Sequence, residues 1–324
     1  MKIIDIHAHV VLEKTLKSIP SYGPEIGGTE ENPWFRIGNY KLEGVRYRNT
    51  PFMDEKMRIE QMDLMGIDYQ VLSPNPLTYF HHIDNKTAID YCKFHNDELA
   101  SLVENNLDRL GGLASLPIQD PKAACAELER SVSLGLKGGY IGTDFPQGFD
   151  DHSMEDFYSA CTELDLPLFI HPAPQGIDGP LYEKKLHKYS LDLTVGFANQ
   201  ESLTIGTIIF SGVLHRHPTL DICISHGGGN IPFLKGRLAH AAMNRPDSPD
   251  WLRKNGEFER QLQLLWYDNH VHSKSSLGLL ESVVGKERLV LGTNFLGWDQ
   301  PDIKKLSNIP SYLANNAKKL LRMD

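Results

Sequence analysis

The chain reads as an α/β protein, a (β/α)8 TIM barrel with one insertion after its first strand and another after its fifth. Three observations predict this. Short apolar runs alternate with stretches of helical period along all 324 residues. The intervening stretches are long enough for right-handed crossovers between parallel neighbours. Three of the apolar runs end in histidine, at the C-terminal strand ends where such barrels gather their functional side chains.

The elements follow in order. Lys2 to Val10 is the first strand. Leu12 to Pro51 contains glycine and proline without a clear period, which predicts an insertion over the strand end with a short hairpin around Trp34 to Leu42. Asp54 to Met65 is helical, and Tyr69 to Ser73 is the second strand. Asn85 is expected to cap a helix in which Ala88, Cys92, His95, Leu99 and Leu102 recur at helical spacing. Gly111 to Leu116 is a strand. Asp120-Pro121 opens a helix with an Ala124, Leu128, Val132 stripe, and Gly135 stops it.

Gly139 to Gly142 is the fourth strand, Ser153 to Leu164 a helix and Leu166 to His171 the fifth strand. A Gly- and Pro-containing insertion, Pro172 to about Lys188, precedes a helix from Gln200 to His215. Leu220 to Ser225, Leu264 to Asp268 and Arg288 to Leu291 complete the strands. Helices Ile231 to Met243, Lys274 to Val284 and Tyr312 to Leu321 alternate with them. Eight units favour a closed barrel over an open sheet. Without a repeat, a low-complexity tract or a linker, the expectation is one domain over residues 1–324, with 12–51 lying on the active-site face.

Composition narrows the function classes. A hydrophobic fraction of 40% suits a sizeable core. The net charge of −9, with no basic run, argues against nucleic acid as a partner. No apolar stretch approaches the roughly 20 residues that span a bilayer. Cys92, Cys125, Cys161 and Cys223 are widely spaced with no Cys-x-x-Cys, so they are expected to be reduced core residues. With no charged segment followed by a long apolar one at the N-terminus, a cytoplasmic protein is expected.

The histidines carry the chemistry. His7 and His9 are two apart on a strand, so their imidazoles share a face and reach one point. His171 and His226 end two further strands. Neutral imidazole is a common ligand of zinc and related ions, and four such positions at barrel strand ends predict a metal centre and an enzyme. His226 also precedes three glycines and a helix start, where backbone approaches a ligand closely and an anion is favoured. His81 and His82 read as exposed loop residues near the mouth. His270 and His272 form a second His-x-His pair beside the pocket, whereas His95 and His240 read as helix residues without chemistry.

Six stretches run from the first strand to the last: Asp5-Ile-His-Ala-His9, Arg58-Ile-Glu-Gln-Met-Asp63, Phe169-Ile-His-Pro172, Ile224-Ser-His-Gly-Gly-Gly229, Phe233-Leu-Lys-Gly-Arg237 and Leu291-Gly-Thr-Asn294. Through them the chain resembles the amidohydrolase superfamily, in the branch of metal-dependent decarboxylases typified by aminocarboxymuconate semialdehyde decarboxylase. The resemblance implies His7, His9 and His171 as ligands of one divalent ion, zinc first and manganese as the alternative. It implies His226 as the catalytic histidine and Arg46 as a carboxylate-binding residue. Arg237 is implied to reach across a homodimer interface into the neighbouring site.

One position departs from that pattern. The family places an aspartate after Gly-Ser/Thr at the end of strand eight, followed by an aromatic residue and proline. Here the run is Gly292-Thr-Asn-Phe-Leu-Gly-Trp-Asp299. Asn294 offers a neutral oxygen to a metal but accepts no proton at working pH, which leaves Asp299 as the surrogate base. Water activation for hydrolysis is handicapped. Nonoxidative decarboxylation needs an electrophilic metal and a proton donor to the carbon that loses CO2, so it suffers less. The expected activity is therefore metal-dependent decarboxylation of a small aromatic or muconate-like acid. The alternatives are a hydratase or a C–C, ester or amide hydrolase of ring-cleavage products, and a barrel that binds without turnover.

Overall fold

The computed structural model describes residues 1–179, 183–301, 306 and 308–323. Among them, eight parallel strands form a ring. They are β1 (Ile4–Val10), β2 (Tyr69–Pro74), β3 (Leu110–Gly112 and Ala114–Ser115), β4 (Gly139–Gly142), β5 (Leu168–His171), β6 (Ile222–Ile224), β7 (Trp266–Asp268) and β8 (Leu289–Val290). β1 pairs with β2 and β2 with β3. The Leu113 amide donates to Leu72 and the Ala114 amide to Gly138, so β3 hands its pairing from β2 to β4 midway. Pairing continues from β4 through β8. The Ile6 amide donates to the Leu291 carbonyl at 3.0 Å, and Asp5 bridges Leu291 in parallel, which closes the cylinder.

Every residue of β1 and β2 is buried, as expected where helices cover the outside of a parallel sheet. Tyr69, Val71, Leu113, Tyr140, Phe169, Cys223, Trp266 and Val290 come from successive strands and form one apolar cluster. Phe169 lies 5.8 Å from the ring of His7. Because β1 and β5 are not neighbours, that contact runs through the interior. The apolar layer therefore fills the cylinder beside the histidines.

The segment after β1 is more ordered than a single hairpin. It folds as a three-stranded antiparallel sheet, Glu25–Gly28, Pro33–Ile37 and Tyr40–Glu43, and buries Phe35 and Ile37 against Val11, Tyr47, Leu77 and Phe80. Its first strand carries no apolar alternation because Gly27 is covered by Trp34, whose indole occupies the space a Cβ would need. Asp84, not Asn85, caps the next helix (Asn85–Glu104), since its carboxylate accepts from the Thr87 amide at 3.0 Å.

The helix expected from Gln200 begins earlier and ends sooner, at Phe197–Ser211. Gly212 adopts φ 81° and breaks it from the short turn Val213–Arg216. Part of the second insertion lies outside the described residues. No described helix is long and apolar enough to cross a membrane, and the four cysteines are unpaired.

Candidate active site at the strand ends

β1 delivers His7 and His9, β5 delivers His171, and His226 follows β6. Their rings converge. His7 lies 5.1 Å from His9, 4.9 Å from His171 and 5.0 Å from His226, centroid to centroid, while His9 and His171 are 4.8 Å apart. His226 holds its place through a left-handed backbone, φ 46°, which a non-glycine residue adopts only when its surroundings enforce it. Gly229, three residues on, has no room for a Cβ because the Ala198 backbone abuts it.

The Nδ1 atoms fix the tautomers. His7 Nδ1 lies 2.7 Å from Asp268 Oδ2, and His171 Nδ1 lies 2.6 Å from the Pro172 carbonyl. Carbonyls and ionised carboxylates only accept, so these nitrogens carry the proton. His9 Nδ1 donates to Ser73 Oγ at 2.9 Å, since that hydroxyl already donates to the Ala8 carbonyl. The Nε2 atoms of His7, His9 and His171 are left buried without a hydrogen-bond partner. Burial, reinforced by neighbouring imidazoles, holds all three neutral, with His9 pushed down to about 3. Three unpartnered Nε2 atoms on neighbouring rings, each imidazole backed through Nδ1 by an oxygen, suit a divalent transition ion.

His226 is built for the opposite charge. Its Nδ1 lies 2.7 Å from Oε1 of Glu201, a fully buried residue of the helix Phe197–Ser211. Burial by itself lowers the His226 pKa, but the charge and hydrogen bond of Glu201 outweigh it and raise the value to about 9. Burial also raises Glu201. The Glu201 charge thus favours a proton on His226, beside three imidazoles that burial keeps neutral.

A buried network fixes the first strand at the seam of the ring. Asp5 accepts from the amides of His7 and Thr293, from Thr293 Oγ1 at 2.7 Å and from Gln70 Nε2 at 2.9 Å. Arg58 donates 2.6 Å to Gln70 Oε1 and 2.7 Å to the His9 carbonyl. β1 is thus tied to β2, to the segment after β8 and, through Arg58, to the helix Glu55–Met65. The Arg58-to-Asp63 motif contributes through Arg58, the one fully buried arginine among the described residues.

Asn294 is buried with φ 46°, and its Nδ2 donates to Asp299 Oδ1 at 2.6 Å. Asp299 Oδ2 takes His270 Nε2 at 3.1 Å and His272 Nε2 at 3.2 Å. Desolvation alone would raise the Asp299 carboxyl. Hydrogen bonding and charge from His270, followed by the charge of His226 and the Asn294 amide, hold it well below the usual carboxylate range. His270 in turn lies 5.8 Å from His7 and 5.7 Å from His226.

The two arginines stand elsewhere. Arg46 is half-exposed on the loop after Tyr40–Glu43, 3.4 Å from Glu30 and 3.3 Å from the Arg48 carbonyl. Arg237 is exposed on the helix Ile231–Asn244, one turn from Phe233, which is 84% exposed. His81 is not an exposed loop residue: it is buried and stacked 5.0 Å from Tyr79. His82 is half-buried, 3.4 Å from Asp144, and both line a cleft beside Thr143 and Ala173. Sequence reasoning missed Asp268, Glu201 and Ser73. Asp268 ends β7 as the histidines end their strands, a signal that the same rule could have used. Glu201 and Ser73 carry none.

An amidohydrolase family model matches residues 4–310. The 2-amino-3-carboxymuconate-6-semialdehyde decarboxylase of Dictyostelium discoideum is 29% identical over 303 residues, covering 90% of this chain and 81% of that protein. A gamma-resorcylate decarboxylase of Rhizobium radiobacter is 30% identical over 220 residues, covering 65% and 66%. Among solved structures, the 5-carboxyvanillate decarboxylase of Sphingomonas paucimobilis superposes with a TM-score of 0.80 at 21% identity, over 100% of this chain and 99% of that one. The dihydroxybenzoic acid decarboxylase of a Polaromonas species, solved with manganese and an inhibitor, gives a TM-score of 0.77 at 20% identity, over 99% and 97%. With the matched model spanning the ring from β1 past β8, the chain belongs to the amidohydrolase family.

Proposed function

We propose that this protein is a metal-dependent nonoxidative decarboxylase of a small aromatic or muconate-like carboxylic acid. The observation that carries the reading is the juxtaposition of three buried imidazoles having unpartnered Nε2 atoms with a fourth held 2.7 Å from the buried Glu201 carboxylate. His7, His9 and His171 would hold the ion. The ligand nitrogens that lie within 4.8 Å of one another are those of His7, His171 and His226, a grouping with His226 in place of His9. His9 is favoured as the third ligand because its Nε2, like those of His7 and His171, is buried without a hydrogen-bond partner, which that of His226 is not. Asn294 lends at most a neutral oxygen.

A divalent ion held there would supply Lewis-acid stabilisation of the negative charge that develops as CO2 leaves. His226 delivers its Nε2 proton to that carbon as the C–C bond breaks and its electron pair stays behind. Glu201 stabilises the imidazolium until the transfer. Asp299 stays ionised and orients His270 and His272, and the proton that leaves His226 is replaced from solvent. Arg46, drawn off Glu30, binds the substrate carboxylate, with Arg237 from a second copy of the chain in a homodimer. The imidazole-rich donor set favours zinc, and manganese is the alternative, as in the Polaromonas relative. The similarity to muconate semialdehyde and resorcylate decarboxylases supports the substrate class.

The test is metal analysis of the purified protein, joined to a screen of hydroxybenzoates and muconate-like acids for CO2 release. Metal-dependent CO2 release is expected. A product heavier by one water, or no CO2 from any acid with metal bound, refutes the proposal.

A further inference from the structure

A second group of metal-ligating atoms adjoins the first. His270 and His272 are two apart after β7, and Asp299 lies five residues beyond Asn294 in the loop after β8. One ligand atom from each of the three falls within 4.8 Å of the other two. The two Nε2 atoms stand 3.1 and 3.2 Å from a single carboxylate oxygen, Asp299 Oδ2. Donors bound at about 2.1 Å to one ion stand about 3.0 Å apart in octahedral and about 3.4 Å apart in tetrahedral coordination. The separations to Asp299 already match a coordination edge.

We propose that His270, His272 and Asp299 form a second divalent-cation site, of zinc-type N,N,O chemistry, beside the four-histidine cluster. The surrounding residues hold this set in place. Asp268 Oδ1 accepts the His270 amide at 3.0 Å while Oδ2 holds His7, so one carboxylate fixes a residue of each cluster. Asn294 Nδ2 donates to Asp299 Oδ1 and leaves Oδ2 turned to the two histidines. An aspartate at 294 has no proton to donate there at neutral pH and would repel Asp299. The asparagine is then the matching residue for a carboxylate relocated to position 299, and not merely the loss of an acid. His270 is buried and His272 exposed, so an ion enters from the mouth with open positions for water or a substrate oxygen.

Zinc and, in parallel, cobalt are titrated into chelator-stripped full-length protein, counting bound ions by mass spectrometry and following the cobalt visible bands. The parent is expected to bind two ions per chain. His272→Ala and Asp299→Asn each lose one, with affinity for that ion weaker by at least about 100-fold. His9→Ala loses the other and keeps this one. Circular dichroism confirms folding, which the exposed His272 position leaves undisturbed. If His272→Ala and Asp299→Asn bind as many ions as the parent, at the same affinities, the proposal is overturned and the three side chains are a hydrogen-bonded group only. If His9→Ala alone changes nothing, the first centre is misassigned while the second stands.

Discussion

Replacing Glu201 by glutamine removes one negative charge and keeps the shape and an oxygen for His226 Nδ1 and Ser225 Oγ to donate to. Glu201 is the largest influence raising His226, which sits at about 9 against an ordinary 6.5. That difference corresponds to about 3 kcal/mol favouring the imidazolium. Without that charge, the lowering by burial is opposed only by Asp268 and Asp299, and the value falls. Near pH 7.5 the protonated fraction then drops, and kcat should fall by about 10-fold.

A cation on His7, His9 and His171 lowers His226 in parent and variant alike, so the displacement between them persists. The assay is kcat for CO2 release from about pH 5.5 to about pH 9.5 at matched metal content, where the basic limb should move down by about two pH units. Burying a neutral amide costs less than burying a carboxylate, so the variant should remain folded with an undiminished Tm. A basic limb that stays in place refutes the assignment of His226 as the proton donor tuned by Glu201.

Other perturbations test neighbouring parts. Asn294→Asp sets a second carboxylate against Asp299, across the present 2.6 Å hydrogen bond. One carboxyl of the pair is then raised above its unfolded value, so stability is lost as pH rises through it. Metal-stripped variant should be about 1–3 kcal/mol less stable than parent at pH 8 but not at pH 4, by thermal denaturation. His95 is buried, its Nδ1 lacks a partner, and burial lowers it to about 4. The unfolded chain protonates it first, so its contribution is present above about pH 6.5 and about 3 kcal/mol is lost as pH falls to about 4. His95→Leu should flatten the urea midpoint between those limits. Arg58→Met leaves Gln70 Oε1 and the His9 carbonyl without donors, costing about 3–5 kcal/mol in urea and weakening metal binding. An unchanged midpoint refutes the structural role given to Arg58.

Much of the ring is readable along the chain. Strand starts and ends fall within a few residues of their expected places, and Gly139–Gly142 matches at both, because burial on both faces leaves continuous apolar runs. The helix Lys274–Val284 also has the bounds its periodicity predicts, with Ser273 capping it. The antiparallel strand Glu25–Gly28 is not legible, since its glycines are matched to Trp34 by packing and not by any local period. Asp84 and Asn85 are both capping residue types, and only the Thr87 hydrogen bond separates them.

Local periodicity, a property of neighbours a few residues apart, determined the strands, the crossovers and which imidazoles stand at strand ends. Which carboxylate each imidazole meets depended on closure of the ring. His7 and Asp268 are 261 positions apart and become partners only because β1 and β7 both deliver their ends to one mouth. Glu201 reaches His226 from a helix packed behind β6, and Asp299 reaches His270 from the loop after β8. The charges of His7 and His226 were decided there, because a proton's affinity follows desolvation and the nearest opposite charge, and neither is written in spacing along a chain.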